Sequence, residues 1–287
     1  MIRLTLWQAC SPRQLYNGWR RVKKNQGWMT VPDDRFGISI SHALESLSQE
    51  ILQGTYQPAP LALVPIPHKD SEKSRILSLP PVRDRIVQSA LSSQLIPLFD
   101  PYFEDCSFAY RPKRSVAMAQ YRVLEYIGHG YPIVAHSDIQ DCFDRIEFTL
   151  VHQLLSLFLA DSRLIHLILR FISSPARYQN TLYYRSAGLP QGSPLSPLLC
   201  NVVLDVLDKF MVDRGIPYVR YADDLIVLAA SYPEGQNRLR EVQQLLATLG
   251  LELNPEKTYL THWQEGFRFL GETFGGGVHE FAYASLD

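Results

Sequence analysis

The chain has little of what would assign it quickly. Its four cysteines, Cys10, Cys106, Cys142 and Cys200, stand far apart and form no CxxC pair. That excludes a zinc-ribbon framework and favours buried free thiols in a reducing compartment. The eight histidines include no HxxxH pair. His152 and His166 lie too far apart in sequence to act as one, and the histidines read as ordinary helix residues. No apolar run approaches a membrane span, so no membrane partner is expected. The opening, Met1 to Cys10, is too short, and the residues after it too polar, for a signal peptide, so the expected location is cytoplasmic. Internal repeats and low-complexity tracts are missing as well.

What is present is a chain of 287 residues, 46% hydrophobic and 20% charged, enough to bury a full core as one large domain or two subdomains. The net charge of −1 conceals an asymmetry. Met1 to Ser115 holds 15 Lys+Arg against 10 Asp+Glu, and the remainder 13 against 19. A basic part beside an acidic one suits a protein that grips a polyanion at one end and gathers metal-binding carboxylates at the other; a chance asymmetry is the competing reading.

Periodicity predicts helices over Ser41–Leu52, Val82–Leu95 (opened by Pro80-Pro81 and ended by Pro97), Glu147–Leu159, Arg163–Ile172 and Glu234–Leu249. Between the first two, the proline-punctuated stretch from Pro58 to Leu79 reads as a hairpin with a polar tip at His68–Lys73. Ile133–Ile139, Tyr178–Ala187, Lys257–Leu260 and Phe267–Phe274 read as strands. Ser196 and Pro197 are suited to start a helix. Its apolar face would carry Leu199, Val203 and Leu207, and its polar face Asn201, Asp205, Asp208 and Lys209. From residue 133 the order resembles a ferredoxin-like α+β layer, an antiparallel sheet with helices on one face.

The most informative residues are Asp223 and Asp224. They lie between two short apolar runs, Ile216–Val219 and Leu225–Ala230, at the tip of an expected hairpin. Adjacent carboxylates in a tight turn repel unless a cation holds them, which points to a divalent metal and phosphoryl-transfer chemistry. Asp is also an ordinary turn residue, and the dipeptide alone leaves both readings open. Asp138, at the end of the 133–139 strand, is the candidate third carboxylate, although an Asp there also serves as a cap or loop residue.

Six segments in order carry a family resemblance: Arg75–Gln88, Ser107–Ser115, Ser137–Phe143, Gly188–Pro197, Tyr218–Asp224 and Phe267–Glu272. Together they resemble a reverse transcriptase of the group II intron-like class, over about residues 10 to 275, and are most similar to the CRISPR-associated members. The resemblance implies right-hand polymerase fingers over 1–130, mostly helical with a basic β-hairpin, and a palm over 131–275. A tail or linker follows over 276–287, with the thumb absent or minimal. It implies that Asp138, Asp223 and Asp224 are catalytic. With the backbone carbonyl of Ile139 they would bind two Mg²⁺ ions, for which Mn²⁺ could substitute. Lys69 and Arg75 would close over the triphosphate, Phe143 would exclude a 2′-hydroxyl, and Gln191 would bond the incoming nucleotide or template. Arg111, Lys113 and Arg114 would meet template phosphates. Without the resemblance, Phe143 reads as a core aromatic and the basic residues as solvated charge.

The implied partners are an RNA template, a DNA or RNA primer, dNTPs, and a CRISPR integrase or another domain that supplies the thumb. The implied activity is cDNA synthesis for spacer acquisition from RNA. An intron, retroelement or other defence enzyme, or an RNA-binding scaffold with weak polymerase activity, are the alternatives. One departure is Ala109, where group II relatives usually have Gly.

Overall fold

The computed structural model describes residues 1–24, 40–67 and 74–276. The expected hairpin tip with Lys69, and nearly all of the expected tail, lie outside the described residues. The chain forms two compact units, each assembled from two separated stretches: Met1–Phe103 with Asp141–Leu204, and Glu104–Gln140 with Asp205–Asp287. Backbone pairing crosses the boundary expected at 130/131, since Leu61 and Ala62 pair with Ala176 and Arg177.

The first unit holds α1 (Leu6–Ala9), α2 (Pro12–Lys24), α3 (Ile40–Gln53), β1 (Leu61–Pro67), β2 (Ser74–Leu79) and α4 (Val82–Phe99). Pro97 lies inside α4 and does not end it; the Asp100 N–H still closes the last turn onto the Ile96 carbonyl. Helix α2 packs closely on α4 because Gly18 has no side chain: a Cβ there would stand 2.3 Å from the Ile86 carbonyl oxygen. Beside that contact Gln14, Asn17, Arg20, Arg21 and Lys24 of α2 line a groove of about 640 Å³ with Leu98 of α4. A neighbouring groove of about 820 Å³ continues past Arg13 to the exposed Trp7 and Tyr102. Among the described residues, no carboxylate lines either groove.

From Asp141 the first unit resumes with α6 (Cys142–Arg145), α7 (Phe148–Phe158), α8 (Ser162–Ile172), β4 (Ala176–Tyr178) and β5 (Thr181–Tyr183). Helices α7 and α8 bring the rings of His152 and His166 to 6.3 Å, a proximity their sequence separation concealed. The stretch expected as one strand over 178–187 is instead a hairpin turned at Gln179, whose φ is +53°. The sheet order is β2-β1-β4-β5.

Helix α9 (Ser196–Asp213) starts at the expected Ser196. Its expected polar face is not a solvent face, since Asn201, Asp205 and Asp208 are all buried. The side chains there find polar partners instead of water, as Asp205 does with Lys209 and Asp208 with Arg220.

In the second unit, α5 (Val116–Gly128), β3 (Ile133–Asp138), β6 (Tyr218–Tyr221), β7 (Asp224–Ala229), α10 (Tyr232–Thr248) and β8 (Tyr259–His262) surround an antiparallel sheet of order β6-β7-β3-β8. Strand β7 is buried from Leu225 to Ala229 without alternation, which is why its sequence reads as a continuous apolar run. Helices cover both faces: α10, from within the stretch expected as palm, lies on one, and α5, which precedes that stretch, on the other. Gly235 of α10 lies against Ile133, Ala229 and Leu260 on one face. Ala119 and Val123 of α5 pack with Val134, Ile226 and Leu228 on the other. That second cluster also takes Phe267, Phe269 and Phe274. The expected single strand 267–274 is a hairpin, β9 (Phe267–Phe269) and β10 (Glu272–Phe274), turned at Leu270 and Gly271, both with positive φ.

Candidate active site

Three carboxylates meet at one end of the second unit's sheet. Register pairs Asp138, the last residue of β3, directly with Asp224, the first of β7. Tyr221 pairs with Asp224, so Ala222 and Asp223 form the two-residue turn between β6 and β7. Only Ala222 of these two has positive φ, +60°, a turn pattern that usually takes glycine at that position. The Asp223 carbonyl accepts from the Ile139 N–H at 3.0 Å, tying the turn to the end of β3. The Asp138 carbonyl accepts from the Asn254 N–H at 2.7 Å. All four expected residues, Asp138, Ile139, Asp223 and Asp224, are thus brought together.

Burial and the neighbouring charges of Asp138 and Asp224 raise the Asp223 carboxyl above its ordinary value, while Lys257 works against them. Lys257 itself is raised, chiefly by its hydrogen bond to Asp138, whose Oδ2 lies 2.9 Å from Nζ. An ammonium thus sits where three negative charges crowd, and the donor set is all hard oxygen, which suits Mg²⁺. Among the described residues, however, no group of three His, Cys, Asp or Glu side chains lies close enough to enclose an ion. Two of the carboxylates are turned to protein partners: Asp138 to Lys257, and Asp224 to His136. Mg²⁺ characteristically keeps waters and shares substrate phosphates, so a partial protein shell fits it better than a closed cage.

The turn rests on a buried ion pair that sequence reading missed. Arg220 and Asp208 side chains are both fully buried. Arg220 Nε donates to Asp208 Oδ1 at 2.7 Å, and Nη2 reaches Asp208 Oδ2. Nη2 also donates to the Ser107 hydroxyl at 2.6 Å, and Nη1 to the Ala222 carbonyl at 3.1 Å. One guanidinium therefore joins helix α9, the 104–108 loop and the carboxylate turn. The available signal was a charged residue inside an otherwise apolar strand, which needs a buried partner.

His136 was also missed. It lies on strand β3, not on a helix, two residues from Asp138 and therefore on the same face.

The remaining expected residues divide. In the first unit, Phe143 of α6 is half-buried, and its carbonyl accepts from the Leu189 N–H. Gln191 Nε2 donates to Asp144 Oδ2 at 3.2 Å, and the Gln191 carbonyl accepts from the Ser78 N–H at 2.9 Å. Phe143, Gln191 and β2, the strand that carries Arg75, are therefore close neighbours within that unit. Gly188 and Gly192 permit the approach: a Cβ at Gly192 would stand 2.7 Å from Leu79. In the second unit, Arg111 is buried, and its Nη1 donates to the carbonyls of Glu104 and Ser107. Arg114 pairs with Asp105 and stacks over Phe108. Both are engaged within their own loop, Arg111 because one guanidinium can satisfy several carbonyls at once and Arg114 through a carboxylate and a ring. Lys113 is exposed.

Comparison with known proteins bears on this geometry. The family model described as reverse transcriptase (RNA-dependent DNA polymerase) matches residues 66–274. The group II intron-encoded protein LtrA of Lactococcus lactis subsp. cremoris is 28% identical, over 91% of this chain and 54% of its own length. Protein YkfC of Escherichia coli (strain K12) is 30% identical, over 79% of this chain and 70% of its own. Among solved structures, a chain of a partial Cas6-RT-Cas1–Cas2 complex aligns with a TM-score of 0.53 and 29% identity, covering 85% of this chain and 42% of that one. The chain thus spans about half the length of the intron-encoded protein and less than half of the complex's chain. No described helix is long and apolar enough to cross a membrane.

Proposed function

The chain belongs to the reverse transcriptase family, and from that premise we propose that it is an RNA-directed DNA polymerase with Asp138, Asp223 and Asp224 as its catalytic carboxylates. The observation that carries this reading is the register: Asp138 opposite Asp224, with Asp223 in the turn bonded to Ile139. In this reading the second unit's sheet is the palm and the first unit's β1–β2 hairpin belongs to the fingers. Asp138, Asp223 and the Ile139 carbonyl hold Mg²⁺, with Asp224 beside them, and Mn²⁺ is a workable substitute. Two such ions, when bound, activate a primer 3′-hydroxyl and neutralise the leaving pyrophosphate. The protein's own part is to hold the carboxylates ionised and close together, and to place the primer end and nucleotide. Lys69 and Arg75 contact the triphosphate, and Gln191 the nucleotide or template.

RNA-templated extension of a primer with dNTPs and Mg²⁺ tests the reading. No extension by the intact chain on any RNA template rejects it. Phe143 is the sugar gate in this scheme. Phe143→Ala is expected to raise ribonucleotide incorporation by on the order of tenfold or more relative to dNTPs, as removing a steric wall does. Competition between matched rNTP and dNTP pools measures it, and an unchanged ratio rejects the gate.

Template binding falls to Lys113 and to the basic stripe of α2, not to the engaged Arg111 and Arg114. Arg20→Glu with Arg21→Glu is expected to weaken single-stranded RNA binding. It is also expected to flatten its salt dependence, by about 0.7 in the log–log slope for each phosphate no longer neutralised. Fluorescence anisotropy across a salt series reads both, and an unaltered slope assigns the RNA elsewhere.

The likeness to the chain in the Cas6-RT-Cas1–Cas2 complex supports a setting in which cDNA feeds CRISPR spacer acquisition with an integrase partner. The intron-encoded relatives support the second reading, an intron or retroelement enzyme. Co-purification with a Cas1 integrase encoded nearby would favour the first, and its failure the second.

A further inference from the structure

The three carboxylates are not restrained alike. Asp138 is tied to Lys257 by its side chain and to Asn254 through its backbone carbonyl. Asp223 is fixed by the turn and by its backbone bond to Ile139. The side chain of Asp224 has one hydrogen bond among the described residues, from His136 Nε2 to Oδ1 at 2.7 Å.

His136 is itself held from behind. Register places it opposite Ile226 in β7 and opposite Tyr259 in β8. Its Nδ1 lies 2.9 Å from the Tyr259 hydroxyl. The ring also meets Tyr259 edge-on at 5.3 Å and 76°, and Phe269 at 6.1 Å and 86°. An ionised carboxylate only accepts hydrogen bonds, so Nε2 must be the donor to Asp224. In the tautomer with its proton on Nε2, Nδ1 is the acceptor and the Tyr259 O–H donates to it. Donors and acceptors match along the whole chain from Tyr259 through His136 to Asp224. The ring cannot swing without losing both bonds and both aromatic contacts.

We propose that His136, anchored by Tyr259, is a positioning residue for nucleotidyl transfer: it commits one oxygen of Asp224 and thereby fixes the rotamer of that carboxylate, so that a divalent cation recruited between the carboxylates and substrate phosphates meets Asp224 already oriented. This deepens the polymerase reading above and rests on it. Groups that orient a metal-binding carboxylate commonly matter by about 10- to 100-fold in metal affinity or activity.

The test is made on the full chain in two parallel measurements, Mg²⁺ titration followed by the thermal midpoint, and primer extension on RNA. His136→Ala is expected to raise the half-saturating Mg²⁺ concentration by about tenfold or more and to lower kcat by a similar factor, with the KM for dNTP little changed. His136→Gln, which restores an N–H donor, should recover part of both, whereas His136→Phe, which only fills the space, should not. Tyr259→Phe should show a weaker form of the same defect. In an Asp224→Asn background, His136→Ala should add little, because the two act as one unit. Unchanged Mg²⁺ half-saturation in His136→Ala overturns the proposal. Rescue by Phe as complete as by Gln, or additivity with Asp224→Asn, makes the histidine a packing residue and also overturns it. Should the wild-type chain extend no primer, the polymerase reading fails, while the Mg²⁺ titration still decides the role of His136.

Discussion

Asp223→Ala is expected to abolish RNA-templated DNA synthesis while leaving the chain folded. The loss in kcat should be on the order of a thousandfold or more, the scale seen when a preorganised group that stabilises transition-state charge is deleted. The folded state should not suffer, because Asp223 is a source of electrostatic cost. Its carboxyl is raised by burial and by Asp138 and Asp224. A carboxyl whose folded value exceeds its unfolded one binds its proton more tightly in the folded chain. The contribution of this one group to stability is therefore greatest below the unfolded value, near 3.8, and falls as pH rises through the window up to the raised folded value. At neutral pH the metal-free protein bears that cost in full.

Asp223→Asn removes the charge and keeps the shape. In the absence of metal at pH 7 its thermal midpoint should rise by a few degrees, a gain that shrinks towards pH 4. Added Mg²⁺ should stabilise the wild type and have little effect on Asp223→Asn. Differential scanning calorimetry at the two pH values, with and without Mg²⁺, checks both signs. A lower midpoint for Asp223→Asn, or full polymerase activity in Asp223→Ala, removes the carboxylate cluster from the mechanism.

Arg220→Ala carries the largest expected effect on stability. Deleting one member of a fully buried ion pair leaves the other charge in an apolar interior, at a cost of about 3–5 kcal/mol. In a chain of this size that is roughly a 10 °C fall in the thermal midpoint. Activity should fall as well, because the same guanidinium holds the Ala222 carbonyl in the turn that carries Asp223. Arg220→Lys keeps the charge, but an ammonium cannot reproduce the two-pronged bond to Asp208 along with the bonds to Ser107 and Ala222. Its loss should be smaller but clear. The double variant Arg220→Met with Asp208→Leu should be more stable than Arg220→Ala, since no buried charge is stranded. Urea denaturation of the three variants tests the order. Equal stability of Arg220→Ala and wild type would mean that the pair is not buried in solution.

Much of the site is legible in the sequence. The paired carboxylates between apolar runs, the candidate third at a strand end, and the order of six segments lead to the reverse transcriptase family. The strand at 133–138, the hairpin around 223 and most helices follow from alternation, helical spacing and turn residues, all of which act within a few positions along the chain. Element boundaries fail where tertiary partners replace a local rule. Pro97 does not end its helix, and Leu270, an unfavourable residue at positive φ, accepts a hairpin turn where the pattern suggests one strand.

What the sequence by itself determined was which residues could do the chemistry. Their types and local spacing set that, since an Asp-Asp turn is a concentration of charge whatever surrounds it. The tertiary structure alone decided which of them act together. Register placed Asp138 opposite Asp224 and turned His136 from an ordinary histidine into the sole hydrogen-bond partner of the Asp224 side chain among the described residues. Burial made Asp208, expected on the polar face of a helix, the counterion of Arg220, and it set the Arg111 guanidinium against the carbonyls of its own loop. The pairings of His136 run across 88 and 123 positions of chain. They are set by the strand order β6-β7-β3-β8 and by the need to satisfy every buried charge, neither of which any local window of sequence contains.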